Sequence, residues 1–507
     1  MIRKHIAALC TAVALVAGLG HPALAGKDDD TLRVAWGTSG AMVNADNYYG
    51  NTTTGFHFSK LVFDMLVEYD AKSGEFQPGL AIKWSWIDDK TLEMELKPDV
   101  KFHNGASFGA DDVAYTLNTI AADKSAAMQR FTSWIDTVEK TGDLTIRIHA
   151  KEPFPQALAY LAGPLPIYPH EYYKEVGPEG MNKMPIGTGP YKVVEMKPGE
   201  QYTLERNDDY IGGFKQKAHI KNLVIREIPD AQTQAAELMA GGIDFSGDMT
   251  PDLIARLQET PDITARMAET IRVFYMSLDA EGRTDVKPMT DRRVRQAINY
   301  AIDREAIVKN LTGGAARVLY TPCHPAQFGC DESRATKYPY DPDKAKALLA
   351  EAGLADGFSV DLYAEAPAYE AEAILGYLQA VGIKANLKRL PWEAAHEAQV
   401  ANKVPVFLTN WGSFTIPDVA AIASVFFKGG DDDTAKNPDV IASLEAADKE
   451  PDPEKRKAAY GNALATISEE AYWVPLFSGV KSYAWSSAVE FEPNPDGALR
   501  FYEATWR

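Results

Sequence analysis

The sequence predicts an α/β fold, because strand-like and helix-like segments alternate along the chain. Residues 31–36 (TLRVAW) are typical of a strand, and residues 82–102 are typical of a β-hairpin. Two further segments, residues 291–308 and 342–352, have the apolar spacing and the end signals of helices. Neither a fixed-period repeat nor a low-complexity tract interrupts this alternation.

Residues 1–25 have the features of a secretory signal peptide. A basic pair at positions 3–4 precedes an apolar run of 15 residues at positions 6–20, and residues 23–25 (ALA) match a small-x-small cleavage pattern. The run is shorter than the ~20 residues that a membrane-spanning helix needs. We therefore expect cleavage after residue 25, a mature chain that starts at Gly26, and no membrane anchor of its own.

The predicted hairpin has one apolar face. Trp84 and Trp86 alternate with polar neighbours, residues 88–90 (DDK) suit a turn, and the apolar residues of the segment 92–96 (LEMEL) alternate again. We interpret the two tryptophans as core residues rather than as ligand contacts.

Both helical segments carry capping signals. Residues 291–308 predict one helix with Thr290 as its N-cap and with four apolar residues on one face: Val294, Ile298, Ala301 and Ile302. Residues 342–352 predict a second helix, with Asp341 as its N-cap, proline at its first position and Gly353 at its end. We expect both helices to be structural.

Composition and charge limit the function classes. The chain has 507 residues, of which 46% are hydrophobic and 24% are charged, so it can build two to four compact units. Removing the two basic residues of the signal segment would change the formal net charge from −19 to −21. A strongly acidic chain repels phosphate backbones, so we do not expect a nucleic-acid partner.

Two of the three cysteines would remain after export, Cys323 and Cys330 in the segment CHPAQFGC. An even pair in an exported protein predicts a disulfide. The alternative is a metal site that uses His324 between the two thiols, although zinc would need a fourth ligand and reduced cysteines. We expect the disulfide, closing a small surface loop that takes no part in binding.

Catalytic signatures are absent from the sequence. It contains no G-x-S-x-G elbow, no H-E-x-x-H helix and no P-loop, and its nine histidines are scattered. Residues 187–191 (GTGPY) begin like a dinucleotide fingerprint, but the proline breaks it. We therefore expect no enzyme activity, no cofactor and no bound metal.

Four stretches in order resemble the family 5 extracellular solute-binding proteins, the dipeptide, oligopeptide and nickel-binding group of ABC importers. They are residues 79–118, which include GLAIKWSW and FHNGASFGADDV; 185–210, PIGTGPYKV through RNDDY; 291–307, DRRVRQAINYAIDREAI; and 338–353, YPYDPDKAKALLAEAG. Together they span most of the mature chain.

The resemblance implies a two-lobed periplasmic-binding-protein clamp with two hinge crossings. It divides the chain into a first lobe of residues 26–274 plus 476–507, an extra domain of about 71–185 within that lobe, and a second lobe of residues 275–475. The apolar segments 273–279 and 472–477 would be the hinges, and the ligand would lie between the lobes.

Loops that leave strand ends line ligand crevices in α/β folds, and two segments suit this role. One segment follows the first strand and the other is residues 408–418. We expect ligand contacts from both segments and from Glu365 between them: Thr38, Ser39, Tyr48, Tyr49, Glu365, Trp411, Ser413 and Phe414. Trp411 fits core packing and cleft contact equally well.

The chain departs from its peptide-binding relatives at both ligand anchors. Those relatives hold the ligand amine with an aspartate a few residues after a tryptophan that matches Trp411, whereas residues 413–415 here are SFT and the next acid is Asp418. Their dipeptide binders place an arginine in the stretch that matches residues 359–372, which holds no arginine or lysine here. We therefore expect a ligand other than a free dipeptide: a modified or longer peptide, an opine-like conjugate, or a cationic or aromatic-stacking solute.

The resemblance implies a monomeric periplasmic protein that delivers its ligand to the permease subunits of an ABC importer. Two alternatives remain open from sequence. One is an extracytoplasmic hydrolase, and the other is a periplasmic chaperone or receptor that reuses the same fold.

Overall fold

The structure is a computed structural model that describes residues 26–37, 42, 44–50, 52–365 and 368–507. The predicted signal peptide lies outside these residues.

The eighteen strands of the described residues are β1 Thr31–Trp36, β2 Val67–Asp70, β3 Glu75–Pro78, β4 Ala81–Asp88, β5 Thr91–Leu96, β6 Ile135–Gly142, β7 Thr145–Ala150, β8 Tyr191–Lys197, β9 Gln201–Arg206, β10 Asn222–Glu227, β11 Phe245–Gly247, β12 Ile263–Leu278, β13 Phe358–Ala364, β14 Ile383–Arg389, β15 Val406–Trp411, β16 Trp473–Ser486, β17 Val489–Glu490 and β18 Thr505–Trp506.

The fourteen α-helices of the same part of the chain are α1 Thr53–Val62, α2 Ala110–Ala122, α3 Ala157–Leu161, α4 His170–Lys183, α5 Ala231–Met239, α6 Pro251–Gln258, α7 Arg292–Ala301, α8 Arg304–Leu311, α9 Pro342–Glu351, α10 Ala368–Ala380, α11 Trp392–Val400, α12 Ala423–Phe426, α13 Pro438–Lys449 and α14 Pro453–Glu469.

One ten-stranded sheet runs through both lobes of this α/β protein, in the order β14-β13-β15-β12-β16-β11-β1-β10-β9-β8. The first-lobe part contains β1 between its parallel neighbours β10 and β11. The second-lobe part contains β13 between its parallel neighbours β14 and β15. Each part has its own hydrophobic core, although Ile416 and Ala421 of the second part belong to the core of the first.

The two longest strands, β12 and β16, join the lobes. They are antiparallel, and residues 263–269 of β12 pair with residues 480–486 of β16 on the first-lobe side. After a register break, residues 273–277 pair with residues 473–478 on the second-lobe side. The chain therefore crosses between the lobes twice, at the same place in the sheet. Each crossing lies within six residues of a predicted hinge segment.

A second, four-stranded sheet in the order β4-β5-β7-β6 belongs to the first lobe and lies within the segment expected to form the extra domain. Trp86 of β4 is 37% exposed, and Trp84 is half-buried. The expectation that both tryptophans are core residues is wrong for Trp86. The reason is that β4 is an edge strand. Helix α2 packs against β6 and β7, which lie at the opposite edge of the sheet.

The predicted strand at residues 31–36 is confirmed as β1, and the helix with Asp341 as its N-cap is confirmed as α9. The single helix expected over residues 291–308 is two helices, α7 and α8. Ile302 has extended backbone angles between them, and the side chain of Asp303 caps α8. The N-cap of α7 is Asp291 rather than Thr290.

Candidate ligand-binding cleft

A cavity of about 320 Å³ lies where β12 and β16 cross between the lobes. Its volume falls in the ~300–1,000 Å³ range of small-molecule sites. The first-lobe side contributes Phe56, His57, Arg130 and Asp496, the crossing strands contribute Thr270, Arg272 and Lys481, and the second lobe contributes Glu365, Trp392, Glu393, Asn410, Trp411 and Phe414. A ligand in this cavity would touch both lobes at once.

The side chain of Arg272 enters the cavity because two neighbouring positions are glycine. A Cβ at Gly479 would lie 2.6 Å from the Cβ of Arg272, and a Cβ at Gly412 would lie 2.9 Å from its guanidinium. Such separations are far shorter than van der Waals contact. Glycine at these two positions therefore leaves the space that the arginine occupies.

The guanidinium of Arg272 donates a hydrogen bond to the side-chain oxygen of Asn410. No carboxylate of the described residues lies within ion-pair distance of it. Burial lowers the pKa of Arg272 from its usual value, partly offset by the charges of Glu365 and Asp248. An arginine remains protonated under these conditions, so the cavity holds a positive charge that lacks a close ion-pair partner.

Lys481 brings a second cationic group to the same region. Its Nζ lies 2.8 Å from Nε2 of the buried His57 and 3.9 Å from a carboxylate oxygen of Asp248. Burial lowers the pKa of Lys481, and the charge of Arg272 lowers it further, whereas the charges of Asp248 and Asp496 oppose the change. Burial also holds the pKa of His57 well below its usual value, so this imidazole is neutral.

The second lobe supplies an acidic group. Glu365 follows β13 and accepts a hydrogen bond from Thr409 Oγ1 at 3.0 Å. Partial burial raises its pKa, although the hydrogen bond from Thr409 and the charge of Arg272 oppose the change. The structure thus places this predicted contact in the cavity lining.

The aromatic part of the cavity joins the lobes directly. Phe414 of the second lobe packs against Phe131 of the first lobe with ring centroids 4.8 Å apart, and against Trp411 at 5.5 Å. The guanidinium of Arg130 lies 4.7 Å from the Phe414 centroid and 5.5 Å from that of Trp411. These distances are typical of cation–π contacts. Core packing and cleft contact were both left open for Trp411 by the sequence. Its ring lines the cavity, and its Nε1 donates to the Ala421 carbonyl.

The remaining predicted contacts lie elsewhere. Tyr48 is fully buried and its hydroxyl donates to the Pro166 carbonyl, so it belongs to the first-lobe core rather than to the cavity wall. Tyr49 bonds to Asp123 and does not line the cavity. Ser413 is buried behind Phe414, where its Oγ accepts from Gln327. Thr38 and Ser39 lie outside the described residues.

The disulfide joins Cys323 to Cys330 as predicted, but its loop is not a surface feature. Cys323 is fully buried, and Gln327 within the loop is 2% exposed. Phe328 bonds through its backbone to residues 417 and 419, which follow the turn that carries Phe414. The loop is therefore a brace behind the cavity wall, and the expectation of a surface loop is wrong.

Several cavity residues were missed by sequence reasoning: Arg130, Arg272, His57 and Lys481. For Arg272 and Lys481, the available signal was a single basic residue inside a largely apolar strand, in TIRVFYM and SGVKSYAW. Asp418 does not replace the missing amine anchor, because its carboxylate is buried and paired with Arg456 at 2.7 Å.

The described residues contain neither a metal-ligand cluster nor a membrane-spanning helix. No group of three or more histidine, cysteine, aspartate or glutamate side chains is placed to hold a metal ion. No helix in this part of the chain combines the length and apolarity needed to cross a membrane.

Comparison with known proteins agrees with this architecture. Residues 75–433 match the model of the bacterial extracellular solute-binding proteins, family 5 Middle. Heme-binding protein A of Haemophilus influenzae is 27% identical over 483 residues, covering 88% of this chain and 86% of that protein. Glutathione-binding protein GsiB of Salmonella paratyphi A is 29% identical over 497 residues, covering 93% and 92%.

The fold also matches solved structures. HbpA2 from Haemophilus parasuis superposes with a TM-score of 0.79 at 25% identity, covering 94% of this chain and 100% of that one. Both of these curated relatives are named as binding proteins, and the sequence has no catalytic motif. The two-lobed fold, the cavity at the crossing strands and the match over residues 75–433 lead to one assignment: this chain belongs to the family 5 extracellular solute-binding proteins.

Proposed function

We propose that this protein is the periplasmic substrate-binding component of an ABC importer, which captures a small peptide-like solute between its lobes and delivers it to the membrane permease. The observation that carries the proposal is the position of the cavity. It lies at the two strands that join the lobes and is lined by side chains of both.

The position matters because a ligand that touches both lobes stabilises the closed state relative to the open one. Phe131 and Phe414 are in contact across the cleft, which is the kind of contact that closure of the lobes would form. The register break between Glu269 and Val273 is a suitable place for the strands to bend. We propose this break, together with Gly479, as the hinge between a first lobe of residues 26–274 plus 476–507 and a second lobe of residues 275–475.

The lining supports a peptide-like ligand. It combines aromatic rings with charged groups of both signs, which suits a solute that carries both apolar and ionic parts. The relative from Salmonella is named for glutathione, which is a modified tripeptide. A purely cationic solute, one of the classes expected from sequence, fits less well because Arg272 and Lys481 would repel it.

Export and partner follow from the same assignment. A signal peptide over residues 1–25 would place the mature chain in the periplasm, where the permease of an importer receives ligand. We propose that the mature protein acts as a monomer, because the cavity is completed by one chain.

The test is to purify the exported protein, denature it and identify the released solute by mass spectrometry. We expect a peptide-like compound in about equimolar amount, and a smaller radius of gyration by small-angle scattering when it is added back to stripped protein. N-terminal sequencing of the same sample should begin at Gly26. An unchanged radius at saturating ligand, or a sample that binds only unfolded chains, would contradict the proposal.

A further inference from the structure

Two cationic side chains, Arg272 and Lys481, line the cavity at the crossing of the lobes, and neither forms a close ion pair there. Arg272 has no carboxylate within ion-pair distance among the described residues, and Lys481 has only Asp248, at 3.9 Å. The polar neighbours that they do contact, Asn410 and His57, are uncharged. The donors of these two cations are therefore satisfied by uncharged or distant groups rather than by a carboxylate in direct contact.

Glu365 lines the same cavity, and its charge acts on Arg272 without a direct contact. Its carboxylate is directed to Thr409, and it forms no ion pair with Arg272 in the described structure. The charges of the two cations also act on each other, since Arg272 lowers the pKa of Lys481. Like charges held close together in a partly buried place are unfavourable unless an anion lies between them.

The geometry of the donors suits a carboxylate. A guanidinium offers a planar fork of N–H groups and an ammonium offers three donors, and both bind carboxylate oxygens through short charge-assisted hydrogen bonds. Gly412 and Gly479 leave room for the side chain of Arg272, which lines the cavity. The neutral His57 lies 2.8 Å from Nζ of Lys481 and adds no negative charge there.

We propose that Arg272 and Lys481 form a carboxylate subsite at the crossing of the lobes, which binds an acidic end of the peptide-like ligand. This inference rests on the proposed function and specifies the ligand class as carboxylate-bearing. It also explains how the site works without an arginine in residues 359–372: the cationic anchor is on the strands that connect the lobes. Binding of the carboxylate there would place ligand charge next to both crossing strands, where it favours closure.

The experiment uses the mature protein, stripped of ligand by unfolding and refolding, and isothermal calorimetry with two probes. The probes are trialanine, as the free acid and as the C-terminal amide, and glutathione, as the free acid and as the amide at both of its carboxyl groups. We expect at least one free acid to bind and its amide to bind about 30-fold or more weakly, because the amide cannot supply the anion. This comparison needs no variant.

The variants Arg272→Gln and Lys481→Gln are expected to weaken binding of the free acid about 30-fold while changing binding of the amide little. Arg272→Lys keeps the charge and should lose less. The matched control is Lys83→Gln, since Lys83 is an exposed lysine on the four-stranded sheet, and it should bind like the wild type. Circular dichroism shows whether each variant is folded.

The outcomes separate the two proposals. Equal binding of acid and amide, or unchanged acid binding by both glutamine variants, overturns the carboxylate subsite and leaves the importer function standing. A co-purified solute that lacks a carboxylate would also overturn the carboxylate subsite and leave the importer function standing. Failure of both probes in both forms, with no solute released from the exported protein, overturns the importer function and the subsite with it.

Discussion

Nε2 of Gln327, a residue inside the disulfide loop, donates a hydrogen bond to Oγ of Ser413 at 3.0 Å. The same amide group lies 3.3 Å from the carbonyls of Ile416 and Asp418. Ser413, Phe414 and Thr415 all have positive φ values, of 51°, 49° and 61°. Left-handed backbone costs about 1–2 kcal/mol for each such residue, so the turn that presents Phe414 depends on this brace.

The first prediction tests that brace with Gln327→Ala. The change leaves buried acceptors without a donor, and we expect a loss of about 1–3 kcal/mol in the free energy of unfolding, together with weaker ligand binding. Denaturant unfolding and calorimetry measure the two effects. The control Gln216→Ala changes an exposed glutamine and should alter neither. Loss of stability with unchanged binding would show that the brace does not position the cavity wall.

The second prediction concerns the Cys323–Cys330 disulfide. Thiol titration of the denatured, unreduced mature protein should find no free cysteine. The double change Cys323→Ser and Cys330→Ser should lower the free energy of unfolding by about 2.5 kcal/mol, the chain-entropy value for a loop of this size. Ligand binding should weaken as well, because the loop supports residues 413–419. Two titratable thiols in the unreduced protein would refute the disulfide.

The third prediction concerns Gly479 at the crossing. An added Cβ would lie 2.6 Å from the Cβ of Arg272 and 2.9 Å from Oγ1 of Thr270, so Gly479→Ala should destabilise the closed form by about 1–3 kcal/mol. Binding affinity and the ligand-induced decrease in radius of gyration should both fall. Gly376 in α10 is the matched control, since a Cβ there meets no atom within 4 Å. Gly376→Ala should be neutral or slightly stabilising, and equal effects of the two changes would argue against the steric explanation.

The fourth prediction is a pH dependence that arises at Glu370. Its side chain is 7% exposed, its Oε2 has no hydrogen-bond partner in the described structure, and burial raises its pKa to about 8. A carboxyl group with a raised pKa in the folded state stabilises the fold below its unfolded pKa, near 4.5, and this contribution is lost as the pH rises towards 8.

Glu370→Gln removes that titration. We expect the variant to gain stability relative to the wild type by about 3 kcal/mol between pH 5 and pH 8, as measured by urea unfolding at each pH. Glu351→Gln, at an exposed position on α9, should show no such trend. A difference between Glu370→Gln and the wild type that does not vary with pH would exclude titration of Glu370 in this range.

Local features of the chain were predictable from sequence. The strand at residues 31–36 and the helix that begins after Asp341 depend on neighbouring residues, through side-chain periodicity and an N-cap, and both are confirmed. The helix break at Ile302 was missed, because the apolar spacing continues through it and Ile302 is itself buried. Trp86 was misplaced because alternation shows that a strand has two faces but not whether another layer covers them.

By itself, then, the sequence determined the α/β class, the family through four ordered motifs, the disulfide pair and the position of Glu365, Trp411 and Phe414 as candidate contacts. Tertiary structure decided the charged part of the cavity. Val273 pairs with both Trp411 and Ser478, and these pairings bring Arg272, Asn410 and Lys481 together from distant parts of the chain. No local sequence pattern predicts that these three residues lie together, because the register of long-range strand pairing is set by the packing of both lobes.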